Sequence, residues 1–229
     1  MTTWRSRIEQ LPPAPTAPDG RLVVLSAHPD DEVLAIGAWL ATQCHRDTVF
    51  VTATDGEASH PHSRTTTRDQ LRDRRPAELR AALLALGVSQ PQIERLQLPD
   101  GHLADDPIGL VEAITPWVHD AALVLAPFEH DGHPDHDALG SAALVACRGQ
   151  TPVWRFPIWT WTWTTPADQS WLTSARRLPD TPLARTAKWA AVHAFTSQVG
   201  PLSDDPGDAA VLTPALLDHA LHTVEVVLT

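Results

Sequence analysis

The chain is poor in the features that mark several protein classes. Lysine occurs once among 229 residues, at Lys188, and the formal net charge is -11. A nucleic-acid backbone or an anionic membrane surface needs clustered cations to grip it, and the net negative charge argues against either as the main partner. A cation or a neutral polar molecule suits this charge better. Cysteine occurs only at Cys44 and Cys147. Both fall in apolar, helix-like segments and read as buried free thiols, which favours a reducing cytoplasm. The N-terminal stretch MTTWRSRIEQLPPAPTAPDG has no apolar signal core, and no segment is long and apolar enough to span a bilayer. The loop after the first apolar run has no glycine between Val23 and Val33. Backbone amides there cannot approach a phosphate as they do in nucleotide-binding loops. No repeat of fixed period is present.

What is present is an alternation of strand and helix patterns. With 43% hydrophobic residues the chain can bury a sizeable core, and its length suits one domain. Residues 1–20 read as a proline-rich arm, and 21–229 as the folded domain. RLVVLSA, TVFVTAT, IERLQLP and ALVLAPF are short apolar runs that suit strands covered on both faces. Between them lie VLAIGAWLATQC, a long helical stretch from Gln70 to Val88, PIGLVEAITPWVH and DALGSAALVACRG. Pro76 is expected to break or kink the second helix and Pro116 the third. Strictly alternating units imply right-handed crossovers and a mainly parallel sheet flanked by helices, a single Rossmann-like α/β domain. A helix over 183–198, a final helical stretch and the apolar TVEVVLT complete the chain.

Ligands of such a sheet bind beyond the carboxyl ends of its strands. Two chemically dense strings occupy that position: AHPDDE at 27–32 and EHDGHPDHD at 129–137. Imidazoles and carboxylates together suit zinc and other divalent ions. His28 and Asp31 lie three apart across a proline, so both can reach one point while Asp30 addresses a neighbouring one. His133 and His136 repeat that arrangement. A pair from one loop and one histidine from the other make the three ligands of a catalytic zinc site with an open position. Either string alone would also serve as a helix cap; it is their coincidence at two strand ends that points to a site.

These motifs, with TDGE at 54–57, RPAEL followed by ALGV, LPDG at 98–101 and TSQ at 196–198, resemble those of the zinc-dependent PIG-L (LmbE-like) de-N-acetylases. The resemblance implies that His28, Asp31 and His136 bind zinc and that Asp30 is the general base for the water zinc activates. It implies that His133 stabilises the oxyanion and can protonate the leaving amine, and that Asp135 orients a histidine. Arg75 and Asp100 match positions that contact substrate hydroxyls in sugar-specific members. The reaction implied is removal of an N-acetyl or other N-acyl group from an amino sugar or glycoconjugate. Two other readings are an amidase of a thiol conjugate or peptide-like amide and a non-catalytic metal- or sugar-binding protein of the same fold. A homo-oligomer is left open. Relatives carry a histidine where this chain has Phe195, and His193 lies two positions away, on another face if the helix is continuous.

Outside the motifs, Trp159, Trp161 and Trp163 alternate in a way that puts them on one face of an extended strand. Trp159 and Trp161 are candidates for a pocket wall, with core or interface packing as the plainer reading. His60 and His62 could rim the site, and SDDPGD at 203–208 reads as a solvated turn.

Overall fold

In the computed structural model, which describes residues 3–167 and 170–229, the apolar runs form one sheet. Its strands are β1 (Leu22–Ser26), β2 (Thr48–Thr52), β3 (Gln92–Arg95), β4 (Leu123–Pro127), β5 (Val153–Phe156), β6 (Ala175–Arg177) and β7 (Val226–Leu228). They are ordered β3-β2-β1-β4-β5-β7-β6. β1 to β5 pair in parallel, and β7 joins β5 and β6 antiparallel at the far edge. The helices are α1 (Trp4–Ile8), α2 (Asp31–Thr42), α3 (Arg68–Ala85), α4 (Pro107–Val118), α5 (Pro134–Cys147), α6 (Thr160–Trp163), α7 (Pro182–Val192), α8 (Thr196–Val199) and α9 (Pro214–His222). Among the described residues no helix is long and apolar enough to cross a membrane.

Alternation along each strand sends successive side chains to opposite faces. Leu22, Val24, Phe50 and Leu125 share one core with residues of α2, α3 and α7, while Val23, Leu25, Val51 and Val124 share another with residues of α4 and α5. Burying each such side chain stabilises the fold by about 1.5–3 kcal/mol. The central position of β1 and β4 follows from their being buried throughout, and it sets the β1–α2 and β4–α5 loops side by side.

Several local expectations change. Pro76 does not break α3, which runs unbroken to Ala85. The carbonyl that proline leaves without a donor, that of Arg72, has the Arg95 guanidinium at 3.5 Å. α4 likewise contains Pro116. The expected helix over 183–198 is instead two, because the chain turns out of helical geometry at Phe195 (φ -80°, ψ 60°). The tryptophans do not share a strand face, since β5 ends at Phe156 and residues 160–163 are helical.

The helix that does bend is α2, at Ile36 (φ -133°, ψ 19°). The amides of Ala38 and Trp39 donate to the buried carboxylate of Glu225 at 2.7 Å each. Lys188 donates to that carboxylate and to the Leu34 carbonyl, both at 2.8 Å. The one lysine is therefore a structural tie among α2, α7 and the approach to β7. Removing either partner of such a buried pair costs about 3–5 kcal/mol. At the N-terminus the proline-rich stretch lies extended beside β6, with the Ala14 amide donating to the Arg177 carbonyl at 2.9 Å.

Candidate metal and catalytic site

The β1–α2 loop delivers His28, Asp30 and Asp31, and the β4–α5 loop delivers Asp131, His133, Asp135 and His136. His28 Nδ1 lies 3.2 Å from His136 Nε2, which lies 3.2 Å from Asp31 Oδ1. His28 Nδ1 lies 3.8 Å from Asp31 Oδ2. Donors about 2.0–2.2 Å from a tetrahedral zinc ion stand about 3.3–3.6 Å apart, so the two imidazole nitrogens and the Asp31 carboxylate, which meets His136 through Oδ1 and His28 through Oδ2, lie close to the spacing of such a site. Two further groupings bring donor atoms within 4.8 Å of one another: His28, His133 and His136, and His28, Asp100 and Asp135.

Both imidazoles are held from behind. His28 Nε2 lies 3.1 Å from Asp100 Oδ1 and 3.3 Å from Asp135 Oδ2. Asp135 is fixed in turn by the amides of Gly101 at 2.7 Å and Leu103 at 3.1 Å. His136 Nδ1 meets Asp131 Oδ2 at 2.7 Å. Asp131 lies inside the second motif, yet no spacing there marks it for a separate role. It accepts from the amides of Ile158, Trp159 and Thr160 and from the Thr160 hydroxyl. Such supports orient the imidazoles and raise their basicity.

Burial opposes the charged form of every group here, so the direction of each shift shows what overcomes it. Against burial, the charge and hydrogen bond of His136 and then His28 hold Asp31 well below the usual carboxylate range. His136 is pushed up to about 9, because Asp31 and Asp131 outweigh its burial. His28 is likewise raised despite burial, by Asp100, Asp135 and Asp31. Burial pushes Asp30 up, with Arg75 pulling the other way. Burial also carries Glu32 up to about 8, although the Ser26 hydroxyl donates to it at 2.5 Å. His133 is pushed down to about 4 by burial and then by charge on His136 and His28. Protons on His28 and His136 thus sit where carboxylates favour positive charge, and a divalent ion would displace them. The donor set fits such an ion.

Asp30 is not part of this triad. Arg75 donates to its Oδ2 at 2.9 Å and to the Gly56 carbonyl at 2.9 Å. The guanidinium expected on substrate hydroxyls is thus committed first to this carboxylate. Asp30, Asp31 and His28 open into a cavity of about 330 Å³, also lined by Arg75, Asp100, His133, Trp159 and Gln198. Trp159 lies at 27° to the His133 ring, with centroids 6.4 Å apart. Trp161 is not in that cavity; it packs with Trp4 and Trp171 and stacks on His219. Trp163 donates its indole N–H to the Asp131 carbonyl at 2.7 Å.

The TSQ segment has its own anchor. Glu78 accepts from the Ser197 amide and hydroxyl, at 2.9 and 2.6 Å, which leaves Gln198 beside the cavity. Phe195 is fully buried in the core, and His193 stacks on Trp189 at the surface. Neither supplies a polar contact to the cavity. Of the other histidines, His60 is buried in the loop behind the rim, whereas His62 is exposed.

A sequence model of the GlcNAc-PI de-N-acetylase family, PIG-L, matches residues 23–147, which include both loops. The chain belongs to that family. A similar curated relative is 1D-myo-inositol 2-acetamido-2-deoxy-alpha-D-glucopyranoside deacetylase of Mycolicibacterium gilvum, 29% identical over 217 residues, with 83% of this chain and 74% of the relative covered. Among solved structures, the zinc-inhibited form of teicoplanin deacetylase Orf2 superimposes with a TM-score of 0.66 at 20% identity, covering 91% of this chain and 97% of that one. The N,N'-diacetylchitobiose deacetylase of Pyrococcus horikoshii gives 0.57 at 18% identity, covering 76% and 68%. These two likenesses show the PIG-L fold, with its mainly parallel sheet.

Proposed function

We propose that the protein hydrolyses the amide of an N-acylated amino sugar, most simply an N-acetyl group, at the site built by His28, Asp30, Asp31, His133 and His136. The observation that carries this reading is a cation-ready triad beside a separate carboxylate held by an arginine, with His28, Asp31, Asp30 and Arg75 opening into one cavity. The curated relatives, deacetylases of an acetamido sugar, support the substrate class. A divalent ion such as zinc, held by His28, Asp31 and His136, would lower the pKa of water to about 7 and polarise the acyl oxygen.

The chain's own groups supply the proton transfers. Arg75 holds Oδ2 of Asp30 and leaves Oδ1 to take a proton from the attacking water. The same carboxyl group then returns that proton to the leaving nitrogen, so the products are a carboxylate and a free amine after proton balance. His133 acts as a neutral donor. Its Nδ1 accepts the Asp135 amide at 3.2 Å, which places the ring proton on Nε2 for the developing oxyanion. Burial and then the positive charge beside it push His133 down to about 4, which favours this neutral form. Trp159 offers the face of a sugar an apolar surface, and Asp100 reaches a hydroxyl only by sharing an oxygen that now faces His28.

Amine release from a panel of N-acetyl sugars, glycoconjugates and thiol conjugates, with a chelator-treated control, tests the reading. Release from the sugars, lost on chelation, is expected. Release from thiol conjugates alone would reassign the protein as an amidase of another class.

A further inference from the structure

One wall of the catalytic cavity consists of two irregular segments. Ala58, Ser59 and Pro61 come from the β2–α3 loop, and Val211 and Leu212 from the chain between α8 and α9. Each has an inner anchor: the Ala58 amide donates to Asp100 Oδ2 at 2.7 Å, and the Leu212 amide to the Gln198 carbonyl at 3.0 Å. Their outer anchors are to each other. Arg64 donates through Nε and Nη2 to Asp205 Oδ2, at 3.0 and 2.7 Å. The hydroxyls of Thr65 and Ser203 both donate to Asp208. Gly207 lies against the loop so closely that a Cβ there would stand 2.2 Å from the His62 carbonyl oxygen.

Residues 203–208 are thus more than the solvated turn their composition suggests: Asp204 and Pro206 are exposed, but Asp205 and Asp208 bind the neighbouring loop. Asp208 is fully buried at the surface of the fold, where a carboxylate that served only solubility would face water. Its partners lie in both segments, so it joins them.

We propose that residues 203–208 form a specificity clasp: Asp205 and Asp208 hold the 58–66 loop against 211–212 and so fix the cavity wall that meets the substrate beyond its amide. Asp205 and Asp208 are positioning residues, distant from the reacting atoms. The wall they set is apolar at Pro61, Val211 and Leu212, which suits an uncharged group attached to the amino sugar. This rests on the amino-sugar reading above.

The test compares two probes, N-acetylglucosamine and its octyl glycoside, in wild type, Arg64→Ala, Arg64→Lys and Gly207→Ala. Arg64 is exposed, so its loss leaves folding intact. Arg64→Ala should raise KM for the octyl glycoside about two- to five-fold, with kcat and the KM for N-acetylglucosamine within about two-fold of wild type. Arg64→Lys should recover part of this, and Gly207→Ala should raise the octyl KM about ten-fold. A lower Tm with equal KM changes for the two probes, or with none, would reduce the clasp to a structural brace and overturn the proposal. Wild-type protein that cleaves neither probe would overturn the amino-sugar reading, and the clasp with it. Wild-type cleavage with unchanged variants would remove the clasp alone.

Discussion

His133 and His136 stand three residues apart at the start of α5 and have opposite electrostatics. His136 is fully buried but flanked by Asp31 and Asp131, and it is pushed up to about 9. His133 is less buried, lacks a carboxylate contact of that kind, and falls to about 4. Burial alone would have ranked them the other way. Carboxylate neighbours therefore favour positive charge on one histidine and leave the other neutral within one motif.

Removing the ligands breaks this contrast most severely. His136→Ala or His28→Ala should lose the bound divalent ion and all measurable turnover, read by metal analysis and amine release. Asp30→Ala and His133→Ala should keep the ion, with turnover down by about 10²–10⁴ for the base and about 10²–10³ for the donor. Asp131→Asn removes the charge behind His136 and should weaken metal affinity or activity by about 10–100-fold.

His219 sharpens the same rule away from the site. It is pushed down to about 4 by burial first and then by the charge of Lys188, and it stacks on Trp161. Unfolded histidine titrates near 6.5. Above that pH both states are neutral and the contribution is fully present. As pH falls from about 6.5 towards 4, the unfolded chain takes up a proton that the folded one resists, so stability is lost over that window. Urea titrations of wild type and His219→Gln should give a difference that slopes between those values and is flat above them. The smallest effect belongs to Trp163→Phe, which deletes the indole bond to the Asp131 carbonyl and should lower turnover only about two- to ten-fold.

Much of the site was legible because its candidate ligands lie in two short strings at the ends of strands that are buried on both faces. Local order was enough to place His28, Asp31 and His136 together, and Asp30 beside them. Asp131 escaped a role because its partners, the amides of 158–160, come from a distant turn that no spacing within the motif announces. Asp208 and the Lys188–Glu225 pair escaped for the same reason: each charge is buried only because remote segments meet it. The tryptophans misled because period-two alternation suits a strand, whereas the three amides held by Asp131 turn the chain into a short helix there. The break at Phe195 likewise depends on that ring entering the core, a tertiary demand that outweighs the helical pattern on either side.

The central claim is that binding the cation and moving the proton belong to different carboxylates only one residue apart. Metal content and amine release measured together on Asp30→Ala test it most directly. The expected result is one divalent ion per chain, as in wild type, with turnover reduced by at least about 10²-fold. Full activity in that variant, or loss of the ion with it, would contradict the division of roles between Asp30 and Asp31.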